Sequence, residues 1–134
     1  MKLVVDTNRI IAALIKNGIS RKILFNKDFV FVTPDYSIIE TRKYADLIKK
    51  KAKITSEEFE ILLSILFERI ETIPKLEYEK FLEKCKPLIS DVADVPFLAV
   101  ASALKTDGIW SDDAHFEEQN NIKVYKTKDM VKLI

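Results

Sequence analysis

Short apolar, β-branched runs alternate along this chain with stretches whose apolar residues recur every three or four positions. Lys2 to Val5 is the first such run and stops at Asp6; from Asn8 to Ile15 the residues Ile10, Ile11, Leu14 and Ile15 then fall at helical spacing. A second helical piece is predicted over Ile19 to Phe25, followed by a buried strand over Phe29 to Val32. Thr33-Pro34-Asp35 reads as a helix start, Thr33 capping free amides and Pro34 taking the first helical position. Glu40 falls in the second turn of that helix. Thr55 and Glu58 offer a capping box ahead of Phe59, Leu62, Leu63, Leu66 and Phe67, the clearest helix in the chain. A short strand is expected within Glu68 to Ile73, ended by Pro74, and a helix carrying Tyr78, Phe81, Leu82 and Cys85 stops near Pro87.

Asp91 to Leu104 is nearly apolar after its acidic start, which suits a helix buried on most sides with Pro96 tolerated in the first turn. Gly108 to Ser111 and Ile122 to Tyr125 read as strands, and a Thr127-capped helix runs to Leu133. Helices interleaved with short apolar strands predict an α/β fold, a parallel sheet covered on both faces. With 134 residues, 48% of them hydrophobic, the chain fits one compact domain spanning 1–134.

Charge narrows the partners. Lys and Arg number 22 against 21 Asp and Glu, so no overall field advertises a polyanion and any nucleic-acid contact must be local. One cysteine, Cys85, excludes an internal disulfide and fits a reducing cytoplasm as a buried apolar filler. The start of the chain meets a charge too soon for a secretory core, and no apolar run approaches the roughly eighteen residues of a membrane span, so a soluble cytoplasmic protein is expected. Two glycines, Gly18 and Gly108, cannot build a phosphate loop or a dinucleotide fingerprint. A lone histidine rules out His/Cys zinc clusters and two-histidine acid/base chemistry.

Carboxylates are the chemistry left. Asp6, Glu40, Asp94 and Asp113 each lie just past a predicted strand or beside a predicted helix start, and in open α/β folds the carboxyl ends of parallel strands converge on one crevice. Two carboxylates about 4 Å apart repel by about 4 kcal/mol at an effective dielectric of about 20. Such a group must take up protons or hold a divalent ion. An ion is the expectation, with Asp6 anchoring it, Asp94 and Asp113 completing its shell and Glu40 orienting or deprotonating a water.

The opening Val4-Val5-Asp6-Thr7-Asn8, midchain Glu40, Asp91-Val92-Ala93-Asp94-Val95-Pro96-Phe97-Leu98-Ala99, and Trp110-Ser111-Asp112-Asp113-Ala114-His115-Phe116 together resemble the PIN domain family, over nearly the whole chain. The look-alikes are single-domain prokaryotic members described as VapC-like toxin components of toxin–antitoxin pairs. The resemblance implies a Rossmann-like three-layer α/β/α sandwich and an endoribonuclease site dependent on Mg²⁺ or Mn²⁺. It maps the family's acidic residues onto Asp6, Glu40, Asp94 and Asp113, with Asp6, Asp94 and Asp113 as metal ligands. It makes Asn8 the polar residue that steadies the first aspartate, with Asp91 and Asp112 as further supporting residues. His115 stands where some relatives carry another acid. An RNA substrate, a small antitoxin partner and a homodimer, built on the helices between Ile54 and Leu82, are implied in the same way.

Blander roles remain open beside these. The basic cluster Lys49 to Lys53 suits a phosphate backbone or a solvated helix end. Trp110 reads as core and His115 as a surface or capping residue. The alternative function is a noncatalytic scaffold of the same fold that binds RNA or protein. A haloacid-dehalogenase-type phosphatase would want a second aspartate where Asn8 stands, and a receiver domain would want a lone acceptor aspartate after a middle strand.

Overall fold

The computed structural model describes residues 1–134. Five strands, β1 (Lys2–Val5), β2 (Val30–Pro34), β3 (Ile70–Ile73), β4 (Gly108–Trp110) and β5 (Val124–Tyr125), form one sheet in the order β3-β2-β1-β4-β5, and every pairing is parallel. Nine helices connect them: α1 (Thr7–Ile15), α2 (Ile19–Phe25), α3 (Tyr36–Lys43), α4 (Ala45–Ala52), α5 (Ser56–Glu68), α6 (Lys75–Tyr78), α7 (Leu82–Cys85), α8 (Val95–Leu104) and α9 (Thr127–Val131).

Side chains alternate across the strands, so each face of the sheet gathers its own core. Leu3, Val5, Phe31, Ile70 and Trp110 pack with Ile10 and Leu14 of α1, Ile23 of α2, Ile48 of α4 and Leu66 of α5. Val4, Val32, Ile73 and Ile109 pack on the opposite face with Tyr78, Cys85, Phe116 and the apolar run of α8. The result is the α/β/α sandwich expected for the chain. Helix α8 is buried almost all round, at Val95 and from Phe97 to Ala101, which explains why its sequence carries no polar stripe.

Connectivity follows from handedness. The chain steps from β1 to β2 to β3 with its helices on one face, then returns through α6 to α8 on the other face to reach β4 on the far side of β1. Right-handed crossovers require opposite faces for opposite directions of travel. The reversal leaves a crevice beyond the carboxyl ends of β1 and β4, the topological switch point where ligands bind in such sheets.

Three local expectations change. Thr33 and Pro34 do not start a helix; they extend β2, with Thr33 paired to Thr72 and Pro34 to Ile73, and the side chain of Asp35 accepts the Tyr36 amide at the helix mouth instead. The Asp35 amide bonds Ile73 on the β3 side, so by strand alternation the proline nitrogen faces β1. The Val5 carbonyl there accepts from the Thr33 hydroxyl at 2.9 Å, which supplies the donor that proline lacks. The segment from Tyr78 to Cys85 is not one helix but α6, a 3₁₀ turn (Glu79–Phe81) and α7. Tyr78 and Cys85 are buried, while Phe81 and Leu82 between them pack only partly buried against the same core. Thr127 begins α9 rather than capping it, and its hydroxyl serves Asp112 and Trp110. The Thr55–Glu58 capping box forms as the pattern predicts. Lys49, Lys50 and Lys51 close α4, and Lys53 caps it in the left-handed conformation; Lys49 is bound to Asp46 and Ser56. Helix-end placement accounts for this basic run. Trp110 lies in the core, fully buried, and no helix is long and apolar enough to cross a membrane.

Candidate functional site

Strand register creates the first half of the site. Val5 pairs with Trp110, and the Asp6 amide bonds the Trp110 carbonyl, so the next residues, Asp6 and Ser111, emerge side by side. The Ser111 hydroxyl donates to Asp6 Oδ2 at 2.7 Å and accepts from the Asp113 amide at 3.0 Å. Asp6 is only 4% exposed. Burial pushes its pKa up to about 6; the Ser111 hydrogen bond opposes the rise, Asp113 adds to it, the Asn8 amide opposes it and Glu40 adds to it. Asn8 therefore acts through its backbone, which faces Asp6 without closing a capping hydrogen bond.

Asp94 supplies the second half from the mouth of α8. It is 8% exposed and its Oδ2 has no hydrogen-bond partner. Burial, then Asp91, Asp113 and Asp6, push its pKa up to about 7, and only His115 pulls the other way. Asp6, Asp94 and Asp113 thus lie within one another's electrostatic reach. Asp91 accepts the Ala93 amide, and Asp113 accepts the His115 amide, so both also shape their loops. Glu40 sits near Asp6 and is approached by the Tyr36 hydroxyl at 3.5 Å.

Two neighbouring residues have further partners. Asp112 is taken up structurally: it accepts from the Thr127 amide and hydroxyl, each at 2.7 Å, and pairs with Arg9 at 2.9 Å. Burial disfavours its charge, but Thr127 and Arg9 outweigh burial and hold its pKa below the usual range. His115 lies at the surface, as expected, and stands beside the acids. Its Nδ1 lies 3.3 Å from Asp113 Oδ1, 3.4 Å from Asp94 Oδ2 and 4.0 Å from Asp91 Oδ2. Asp113 raises the histidine's pKa, partial desolvation opposes this, and Asp94, Glu118 and Asp91 add to it.

A cleft of about 410 Å³ opens beside this cluster, lined by Asp6, Asn8, Arg9, Asp112 and Asp113 with Ile11, Ala12 and Ile15 of α1. It reaches the Asp6 side only; Asp94, Asp91 and His115 lie outside its lining. The tightest potential ligand set is Asp91, Asp94 and His115, whose ligand atoms fall within 4.8 Å of one another. That set shares only Asp94 with the expected trio of Asp6, Asp94 and Asp113. The donors fit a divalent cation: they are mostly hard carboxylate oxygens, and a buried oxygen without a donor is what a cation would satisfy.

A family model described as a PIN domain matches residues 4–131. The chain belongs to the PIN domain family. The fold of this PIN domain is shared with a chain in the crystal structure of VapBC2 from Rickettsia felis bound to a DNA fragment from their promoter, with a TM-score of 0.67 over 94% of this chain and 98% of that one. Identity is 20%, so the likeness is one of fold. No curated protein matches the chain in sequence.

Two neighbours of the acidic cluster, Ser111 and Tyr36, were not singled out from the sequence, and His115 was named only as the position where some relatives carry another acid. Ser111 had only a weak signal, as the end of a short apolar run; its place beside Asp6 comes from the pairing of Val5 with Trp110. Tyr36 had one as well, four residues before Glu40 on the same helix face.

Proposed function

We propose that this PIN domain is a divalent-cation-dependent endoribonuclease that hydrolyses RNA phosphodiester bonds through Asp6, Glu40, Asp94 and Asp113. The observation that carries the reading is the buried, partnerless Asp94 Oδ2 within the field of Asp6 and Asp113. Bound Mg²⁺ or Mn²⁺ would make a water more acidic and neutralise charge on the leaving oxygen. Asp6, Asp94 and Asp113 are the residues to hold the ion. Ser111 fixes the Asp6 carboxylate, and the Asp113 amide on the same hydroxyl ties the two loops together. Glu40, near Asp6, orients the attacking water or accepts its proton.

The toxin role, with a small antitoxin as partner, is supported by family membership and by the fold shared with VapBC2. A homodimer is supported by apolar side chains left exposed between Ile54 and Leu82, namely Ile61, Ile65 and Leu76. A cytoplasmic location suits a chain whose one cysteine is free and buried.

Asp6→Asn tests the chemistry. It keeps the side chain's size but removes the charge, so RNA cleavage in Mg²⁺ or Mn²⁺ should fall by about a hundredfold or more while circular dichroism stays native. Full activity in a folded variant removes Asp6 from the mechanism.

A further inference from the structure

His115 brings a nitrogen donor into a cluster of oxygens. We propose that His115 Nδ1, Asp94 Oδ2 and Asp91 Oδ2 form a mixed nitrogen–oxygen metal subsite that favours a borderline divalent transition ion, from Mn²⁺ to Zn²⁺, over Mg²⁺. The inference deepens the nuclease reading and rests on that reading's need for a cation at this acidic mouth.

Spacing carries the first part of the argument. Ligand atoms held about 2.1 Å from one ion stand about 3.0 Å apart at the corners of an octahedron and about 3.4 Å apart in a tetrahedron. Nδ1 lies 3.4 Å from Asp94 Oδ2 and 4.0 Å from Asp91 Oδ2, so these atoms can converge on one ion with small rotations of exposed side chains. Asp113 Oδ1, at 3.3 Å, borders the same space.

Directionality carries the second. An imidazolium clamped by acids would aim its N–H at one of them. The His115 backbone amide donates to Asp113 Oδ1, and its ring donates no hydrogen bond. Asp94 Oδ2, although buried and only 3.4 Å from the ring, has no hydrogen-bond partner. A ring nitrogen and a buried carboxylate oxygen that lie close without bonding each other are arranged to share a third group.

Ligand type decides which ion. Mg²⁺ prefers all-oxygen shells and dehydrates reluctantly. Imidazole suits transition ions, whose affinities at any such site already exceed that of Mg²⁺, so the informative quantity is how the preference changes when the nitrogen is removed. His115 and Asp91 are both about half exposed, so substitutions there leave the core intact.

Because His115 is the only histidine, its ring resonances are unambiguous. In the full chain at pH 8, without RNA, saturating Zn²⁺ should shift the Nδ1 resonance in long-range ¹H–¹⁵N spectra, and Mg²⁺ should not. By calorimetry, His115→Ala should weaken Zn²⁺ and Co²⁺ binding by about tenfold or more with little change for Mg²⁺, and Asp91→Asn should act in the same direction. An Nδ1 resonance unmoved by saturating Zn²⁺, or Zn²⁺ and Mg²⁺ affinities that fall in parallel, would overturn the subsite. RNA cleavage with Mg²⁺ in that event leaves the nuclease reading standing; failure of every cation to bind sinks both.

Discussion

At the scale of single residues, the acidic cluster stores an electrostatic cost that pH and cations should reveal. Asp6 and Asp94 both titrate above the ordinary value of 3.8 in the folded chain, at about 6 and about 7. As pH rises from 4, the unfolded chain gives up these protons first, so the native state binds more protons and its stability falls. The stabilising protonation is complete below pH 4 and is lost through the window that ends at the two folded values. For Asp6 alone the effect is on the order of 3 kcal/mol, and Asp94 acts in the same direction. Melting temperature measured in EDTA should therefore drop between pH 4.5 and 7.5, with divalent cations restoring more at the upper end. A flat profile would show that the two carboxylates are not electrostatically strained. Of the candidate site, the placement of Asp6, Glu40, Asp94 and Asp113 near strand ends or helix starts was legible from the hydrophobic pattern. The contacts of Ser111 with Asp6 and of His115 with Asp94 were not, because each joins residues about a hundred or about twenty positions apart and depends on how the sheet assembles.

Elements tell a similar story about local and distant information. The capping box of α5 and the apolar α8 were readable because their causes lie within a few residues. The Thr33-Pro34 pair was misread because its local signal matches a helix start, whereas its actual state depends on β3 on one side and the Val5 carbonyl on the other. Gly108 shows the same dependence. A Cβ there would sit 2.6 Å from the Lys123 carbonyl oxygen and 2.8 Å from the Tyr125 ring, because β5 crosses close to the start of β4. Gly108→Ala should thus push β5 away and cost about 3 kcal/mol, or about 10 °C in Tm. The loss should appear in thermal unfolding; an unchanged Tm would mean that β5 can shift freely. A glycine in a short apolar run hinted at close approach, but not at which backbone approaches it.

For the whole molecule, the expectation of one compact unit becomes a statement about cooperativity. The two cores lie on opposite faces of one sheet and share its strands: β1 gives Leu3 and Val5 to one and Val4 to the other. Unfolding of one core is therefore expected to take the other with it. Urea unfolding followed by Trp110 fluorescence, which reports one face, and by far-ultraviolet dichroism, which reports all helices, should give coincident midpoints; separate midpoints would divide the chain into two units. The α/β architecture was readable from the alternation of strand and helix signals, while the strand order was not, since the return to the far side of β1 leaves no mark in local pattern. That return also sets a timetable for synthesis. Because Asp6 meets its neighbours only after the chain has been made through residue 113, a growing polypeptide on the ribosome carries isolated acids and no assembled cluster. An activity that needs all of these carboxylates can begin only after residue 113 has been made and β4 has paired with β1.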